Sequence, residues 1–203
     1  MQQVICNLEK WCDKWGMHFN VKKCCILHFG NKNTKYQYTM NGEILASQSN
    51  QRDLGIQILD TCLPGNQCAH AAKKANQVFG RINKSFSCKT KDVMQQIYKV
   101  FVRPHLEYAV TAWAPWHRKD VNALEKIQQR ATRRISDVRG SYPERLQQLE
   151  LNTLEERRSR GDAIETYKYL KGFLDVDRET LFTINNTIQP ETQHQQSYMT
   201  LLV

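Results

Sequence analysis

Apolar residues recur at helical spacing near the start of the chain. They are Val4, Ile5, Leu8, Trp11, Cys12 and Trp15. Steps of three and four positions predict an amphipathic helix over residues 2–15, and Gly16 is well placed to end it. Aromatic residues on such apolar stripes are expected to be mostly core, which applies to Trp11, Trp15, Tyr108 and Trp113.

Short alternating runs replace the helical pattern between residues 24 and 59. The strongest local signal is Asn41-Gly42, a dipeptide that fits a two-residue hairpin turn. A strand-length apolar run precedes it at 24–29, and alternation returns at 53–59. This part of the sequence predicts a small antiparallel β unit.

Helical spacing returns after Pro64-Gly65 and continues to about residue 174. Helices are predicted over residues 70–86, from Thr90 to Phe101, from Pro104 towards Trp113, over 119–139, and after capping boxes at Ser141 and Thr153.

The predicted fold class is α+β, with a short helix and a small antiparallel β unit followed by a mainly helical bundle. The predicted divisions are residues 1–60, residues 66–182, and a tail over residues 185–203. The tail is rich in Asn, Gln and Thr, which predicts disorder.

Positive charge is concentrated in the middle of the 203-residue chain, whose formal net charge is +9. Residues 71–104 carry eight basic side chains against Asp92, whereas residues 141–203 carry more acidic than basic ones. Such a block neutralises phosphates and releases counterions, so nucleic acid is the leading partner class. No run reaches the ~20 apolar residues of a membrane span, and no signal region opens the chain. We therefore expect an intracellular protein, nuclear or cytoplasmic.

Patterns that mark a catalyst or a metal site are missing from the sequence. Metal-assisted phosphoryl transfer needs paired carboxylates, and the acidic residues of the N-terminal half stand singly. The seven cysteines contain no Cys-x2-Cys pair and fit reduced thiols. Cys62, Cys68 and His70 lack a fourth zinc ligand at the usual spacing. On chemistry alone we expect no metal site and no self-sufficient catalyst.

Several blocks of residues follow one another in a characteristic order. The first are Leu8-x2-Trp11-x3-Trp15-Gly-Met-x-Phe-Asn20-x2-Lys23, Ile26-x-His28-Phe29-Gly30 and Asp53-Leu-Gly-Ile. The later ones are Lys73-Lys-Ala-Asn76-x2-Phe79-Gly, Tyr98-Lys-x-Phe-Val-Arg-Pro104-x-Leu-Glu-Tyr108 and Trp113-x-Pro115. Over roughly residues 1–180, these blocks resemble the reverse transcriptases of non-LTR retrotransposons (LINE, jockey-like).

The resemblance implies the C-terminal palm edge and a thumb-like helical domain of such a polymerase. The family's metal-binding Asp-Asp motif is expected upstream of residue 1, so this chain is expected to lack it. Mg²⁺ is expected only together with those carboxylates, and no cofactor is expected in this chain. The resemblance thus implies a fragment that binds an RNA or DNA primer–template, does not polymerise alone, and has no membrane or small-molecule partner.

The resemblance also implies roles for individual residues. Lys23 resembles the palm lysine that approaches the nucleotide triphosphate, where an ammonium offsets or protonates the departing pyrophosphate. Asp53, Leu54 and Gly55 resemble the hairpin that grips the primer end. The positions expected to track phosphates are Lys73, Lys74, Arg81, Lys84, Arg103 and Arg130.

Other interpretations stay open. The chain is part of a longer active reverse transcriptase whose palm lies upstream, or it is a basic helical module that binds another protein. Ordinary structural roles also compete at each site: a surface lysine at position 23, a plain β turn at 53–55, and a solvated helix face at 73–84.

Overall fold

The computed structural model describes residues 1–30 and 32–175, together with the backbone of residues 182–183 and 200–201. The chain divides into two compact units, Met1–Leu154 and Glu155–Val203. The predicted divisions at residues 60, 66 and 182 stay a prediction. The predicted tail over 185–203 lies, apart from the backbone of 200–201, outside the described residues.

The first unit opens with a helix and four short strands. Helix α1 spans Gln2–Lys14, and Gly16 follows it with a φ of 63°, as expected of a residue that ends a helix. Strand β1 is Cys25–Leu27, β2 is Thr39–Met40, β3 is Glu43–Ile44 and β4 is Ala46–Gln48. Asn41 and Gly42 both have positive φ, so the predicted hairpin turn between β2 and β3 is confirmed.

Strands β1 and β4 pair in parallel, where the sequence predicted antiparallel pairing throughout. Cys25 lies opposite Ala46, and Leu27 lies opposite Gln48. The connection between the two strands contains the whole β2–β3 hairpin, so it is long enough to carry the chain back to the start of β1. Apolar alternation does not distinguish the two directions in strands of three residues.

Helix α1 buries only one edge of its apolar stripe. Ile5 packs with Met40 and Leu45 in a small buried cluster. The side chains that stay exposed, by 43% to 62%, are Val4, Leu8, Trp11 and Trp15. Their mean direction lies about 80° around the helix from that of the buried Ile5 and Cys12. The prediction that Trp11 and Trp15 are core residues is therefore wrong.

Strands β5 (Asn50–Asp53) and β6 (Ile56–Leu59) form an antiparallel hairpin. Alternation continues across residues 53–59 of the sequence, but the structure has a turn at Leu54 and Gly55, whose φ values are 45° and 86°. Positive φ at both central residues is the type I′ pattern, whose twist matches that of the flanking strands. A leucine seldom adopts this conformation, and its side chain is 82% exposed, so contacts of the turn's backbone have to hold it.

The rest of the first unit contains five α-helices and a 3₁₀ turn at Val110–Ala112. The α-helices are α2 (Gly65–Ser85), α3 (Lys91–Ile97), α4 (Arg103–Glu107), α5 (Arg118–Arg133) and α6 (Tyr142–Gln148). Their apolar faces enclose a continuous buried cluster that begins at Cys68 and reaches Leu154. The predicted α+β fold class with a helical bundle is confirmed.

A π-helical segment, Tyr98–Val102, joins α3 to α4 where the sequence predicted two separate helices. Pro104 has no N–H, so the carbonyl of Val100 loses its usual helical donor, and a wider turn accommodates the loss. Helix α4 also ends earlier than predicted, because Ala109 adopts a left-handed backbone with a φ of 48°.

The two aromatic residues after α4 differ in burial. Trp113 is buried, as predicted, and its Nε1 donates a hydrogen bond to the carbonyl of Tyr108 at 2.9 Å. The Tyr108 side chain is 57% exposed, so its predicted core position is wrong. Its hydroxyl instead donates to the carbonyl of Leu54 at 3.0 Å, which ties the β5–β6 turn to the end of α4.

A buried polar network crosses the helical core around Gln128, which is fully buried. Tyr98 donates to Gln128 Oε1 at 2.6 Å, and Gln128 Nε2 donates to the Tyr142 hydroxyl at 2.9 Å and to the Asn152 carbonyl at 3.0 Å. Tyr142 in turn donates to Glu125. Burial raises the pKa of the Tyr98 hydroxyl well above its usual range, so it stays a donor at physiological pH.

Helix α7 (Leu154–Leu170) begins at the predicted capping position after Thr153. Glu165 and Lys168 form an ion pair on it, with 2.7 Å between Oε1 and Nζ. Strands β7 (Phe182–Thr183) and β8 (Thr200–Leu201) pair antiparallel. Within the part of the chain that the structure describes, no helix has the length and apolar character needed to cross a membrane.

Candidate nucleic-acid interface

Helix α2 presents a basic face opposite its buried face. Lys73, Lys74, Arg81 and Lys84 are all exposed. At 100° per residue they fall within an arc of about 100°, whereas the buried Ala71, Ala75, Phe79 and Ile82 lie on the far side. We call these four cations the α2 basic face.

Arg130 of α5 lies at the same surface. It is exposed, and its Nη1 donates a hydrogen bond to Oδ1 of Asn76 at 2.9 Å. Asn76 follows Lys73 by three residues, so it lies next to that lysine on α2. The structure thereby brings Arg130 beside the α2 basic face.

Helices α2 and α5 run side by side in the same direction. A Cβ placed on Gly65 in the first turn of α2 would lie 3.6 Å from Oδ2 of Asp120, in the first turn of α5. The Asn76–Arg130 contact follows eleven residues later on α2 and ten residues later on α5. Matched spacing on both helices means parallel axes over about 16 Å.

Helix α5 has a basic stripe of its own. Its exposed members are Lys119, Lys126, Arg130, Arg133 and Arg134, which recur at steps of three, four and seven residues. We call these five cations the α5 basic face. Because the helix axes are parallel and Arg130 links them, the two faces form neighbouring rows of cations.

Arg103 is placed differently from the other predicted phosphate-binding residues. It is half-buried on α4, and its Nε lies 3.7 Å from Oε2 of Glu107 one turn later. A carboxylate at that distance reduces the charge that Arg103 offers to a phosphate.

A cavity of about 370 Å³ lies between the β5–β6 turn, α2 and α4. Its lining includes Arg52, Leu54, Gly55, His70, Lys74, His105 and Tyr108. We call it the hairpin cavity. It brings together Leu54, Gly55 and Lys74, which the sequence singled out separately.

The remaining predicted site residues lie at the surface. Asp53 is exposed and pairs with Ile56 at the base of the turn. Lys23 is exposed at the end of a short 3₁₀ turn, Val21–Lys23, just before β1, and its backbone N–H donates to the Asn20 carbonyl at 2.9 Å.

Sequence reasoning missed the basic groups that complete the cavity. His70 stands four residues before Lys74 and therefore shares its helix face, a spacing that is readable in the sequence. Arg52 and His105 carry no such signal, because only the hairpin turn and the end of α4 bring them to the same place. Lys126 and Arg133 were visible as outward cations on α5, but nothing in the sequence linked α5 to α2.

Proteins bind metal ions mainly through His, Cys, Asp and Glu side chains. Among residues 1–30 and 32–175, no group of three or more His, Cys, Asp or Glu side chains is arranged to hold a metal ion. The described residues therefore do not fit a magnesium centre, and we assign no step to Mg²⁺.

Comparison with known proteins gives two related sequences. No family model matches the chain, and no solved structure matches it. The chain is 27% identical over 143 residues to an RNA-directed DNA polymerase from the mobile element jockey of Drosophila funebris. It is 23% identical over 145 residues to the jockey polymerase of Drosophila melanogaster.

Both matches cover 67% of this chain, which spans about 15% of the length of these curated relatives. The similarity supports a relation between this chain and the reverse transcriptases of non-LTR retrotransposons.

Proposed function

We propose that this chain is a fragment of a retrotransposon RNA-directed DNA polymerase that binds primer–template nucleic acid and does not polymerise alone. The observation that carries the proposal is the pair of parallel basic rows on α2 and α5, joined by the Arg130–Asn76 hydrogen bond at 2.9 Å. The relation to the jockey polymerases supports the choice of nucleic acid over other anions. In this proposal the helical part acts as the thumb, in the nucleus or cytoplasm.

The geometry suits a phosphate backbone. The α2 basic face spans about 16 Å, which corresponds to roughly five nucleotides of one strand. Lysine and arginine side chains on one helix face meet successive phosphates and carry no base information, so binding is expected to discriminate poorly between sequences. Release of counterions then makes the affinity fall steeply with salt.

A salt titration tests this function. If five cations contact phosphates, the slope of log affinity against log salt is expected to be about −4. Reversing the α2 basic face with K73E, K74E, R81E and K84E together should flatten the slope and weaken binding at least tenfold, a factor of about 1.4 kcal/mol. A slope near zero for the unmodified chain rejects the proposal.

The matched control reverses four exposed cations elsewhere in the first unit, Lys10, Lys22, Lys32 and Arg139. It changes the net charge by the same amount and leaves both basic faces intact. If the control weakens binding as much as the α2 variant does, the effect comes from overall charge and the interface is not on α2.

A second candidate is that the chain works as part of a longer active polymerase whose palm precedes it. The exposed stripe of Val4, Leu8, Trp11 and Trp15 favours this candidate, because four apolar side chains on one helix face fit a protein surface better than water. The proposed occupant is the upstream palm of the same polymerase, and Lys23 would then approach the nucleotide. The flanking reading frame decides it: an Ala-Asp-Asp strand shortly before Met1 is expected.

The remaining alternative is a helical module that binds another protein through a surface other than the α2 basic face. That function predicts that a partner captured by the chain stays bound after K73E, K74E, R81E and K84E. Loss of both the partner and the nucleic acid in that variant supports nucleic acid as the ligand of the basic faces.

A further inference from the structure

We propose that the hairpin cavity binds one phosphodiester group of a nucleic acid strand through Arg52, His70, Lys74 and His105. The proposal rests on the proposed function, because it takes the strand to lie along the α2 basic face. It adds a defined phosphate site, with two imidazoles in it, at the end of that face.

Three separate elements supply the basic groups. His70 and Lys74 stand one turn apart on α2 and point to the same cavity. His105 comes from α4, and Arg52 from β5 two residues before the turn. No carboxylate is among the described residues that line the cavity, so these groups have no internal counter-ion there.

The wall between Arg52 and His105 is built by an unusual turn. Leu54 is held at a φ of 45°, and the Tyr108 hydroxyl binds its carbonyl at 3.0 Å. A Cβ on Gly55 would lie 3.6 Å from Cε1 of Tyr108, so the tyrosine ring lies against the turn. The two Tyr108 contacts hold the strand carrying Arg52 against the end of α4, and backbone strain that such contacts maintain often marks a binding site.

The size and chemistry of the cavity fit a phosphate with its neighbouring sugars. Its volume of about 370 Å³ is at the lower end of small-ligand sites. An arginine beside a lysine and two imidazoles gives both directional hydrogen bonds and charge for an anion. Lys74 belongs to the cavity and to the α2 basic face, so a strand that follows that face reaches the cavity without a break.

The two imidazoles make binding sensitive to pH. A phosphodiester keeps one negative charge over the neutral range, while an imidazole gains its positive charge between about pH 8 and about pH 5. The charged groups around them are Arg52 from β5 and Lys74 from α2, with Asp53 beside the turn and Glu107 on α4 next to Arg103. Affinity should therefore rise as the pH falls.

The test measures binding of a labelled primer–template to the whole chain by fluorescence anisotropy at about pH 8 and about pH 6. For the unmodified chain we expect affinity to rise at least about fivefold at the lower pH. The double variant H70Q/H105Q should reduce that rise to less than about twofold. The double variant H18Q/H117Q removes two exposed histidines outside the cavity and should keep the full rise.

A second variant controls for a loss of binding that is caused by misfolding. R52Q is expected to weaken binding at both pH values by about tenfold and to reduce the salt slope by about one, with the ratio between the two pH values unchanged. If H70Q/H105Q keeps the full pH response, or if H18Q/H117Q loses it, the cavity assignment is overturned while nucleic-acid binding itself stands. If the unmodified chain shows no salt-dependent binding at all, the proposed function fails, and the cavity proposal fails with it.

A free nucleotide is the other source of the same phosphate chemistry. Titration with a nucleoside 5′-monophosphate is expected to show binding at least about a hundredfold weaker than that of the strand, because it lacks the contacts along α2. Comparable affinity, lost in H70Q/H105Q, would assign the cavity to a free nucleotide and overturn the strand assignment.

Discussion

The β region (residues 1–59) and the helical region (residues 65–154) of the first unit bury their apolar residues to very different extents. Among the described residues, seventeen buried apolar side chains form the cluster of the helical region, whereas Ile5, Met40 and Leu45 form that of the β region. The β region also leaves Trp11 and Trp15 more than half exposed. An apolar pattern therefore shows where a helix has an apolar face, but it does not show whether residues of the same chain bury that face.

The strongest test of this contrast compares two large-to-small substitutions. Leu124→Ala, at a fully buried position of α5, is expected to lower the free energy of unfolding by about 2–5 kcal/mol. Met40→Ala removes a similar side chain from the three-residue cluster and is expected to lower it by about 1 kcal/mol or less, because a small cluster opens by itself. Urea unfolding of the whole chain, followed by circular dichroism, measures both.

Equal losses for the two variants would break the comparison, because they would show that both regions unfold as one cooperative unit. Leu63→Ala serves as a control, since its side chain is 47% exposed and lies between the regions. It is expected to change the free energy of unfolding by less than about 0.5 kcal/mol.

The buried polar network around Gln128 gives a second test of how strongly buried contacts stabilise the helical region. Gln128→Met keeps the volume but leaves the Tyr98 hydroxyl without its acceptor and the Asn152 carbonyl without the Gln128 donor. This is expected to lower the free energy of unfolding by about 1–3 kcal/mol. Gln129→Met, at the neighbouring partly exposed position, should have little effect. If Gln128→Met stabilises the chain, the network is not a determinant of the fold.

Periodicity predicted the helical region well because the apolar stripes of its helices pack against one another. The buried residues of α2 and α5 fall at the spacing read from the sequence, and the capping box at Ser141 is confirmed. Three features lay outside the pattern, and one of them is the end of α5 at Arg133 instead of the predicted residue 139. The π-helical segment depends on the missing N–H of Pro104, and the early end of α4 on the backbone of Ala109.

The candidate site was predictable only where it follows a single helix. The α2 basic face could be read from the sequence, because its members share an arc of one helix. The hairpin cavity could not, because Arg52 and His105 stand 53 residues apart and meet only through a turn tied down by Tyr108. Arg130 was predicted by resemblance, but its position beside α2 depends on the hydrogen bond to Asn76.

Hydrogen exchange offers a direct comparison of the two regions. After correction for intrinsic rates, the amides of Cys25–Leu27 are expected to exchange at least about tenfold faster than those of residues 71–82 in α2. The reason is that β1 pairs with a single three-residue strand, whereas α2 packs on the main core. Equal protection in both segments, read by mass spectrometry or NMR, would contradict a weak β region.

The smallest expected effect concerns the capping box of α6. It tests whether the start of a single helix contributes measurably to the stability of the helical region. The backbone N–H of Ser141 donates to Oε2 of Glu144 at 2.7 Å, and the Ser141 side chain accepts from the backbone of Glu144. The hydrogen bond from the Ser141 backbone N–H to the Glu144 carboxyl, and after it that from the Ser141 side chain, hold the pKa of Glu144 below its usual value. Ser141→Ala is expected to lower the free energy of unfolding by about 1 kcal/mol.

The sign of the pH dependence follows from that lowered pKa. A carboxylate whose pKa is lower in the folded chain stabilises it above the unfolded value of 4.5, and the contribution is lost as the pH falls through the folded value. The Ser141 amide resonance should therefore titrate in this acid range, and it should stop doing so in Glu144→Gln, whose amide oxygen still accepts the hydrogen bond. Identical titration of the Ser141 amide in both chains would show that it senses a group other than Glu144. The ionisation of Glu144 would then not contribute to the capping box.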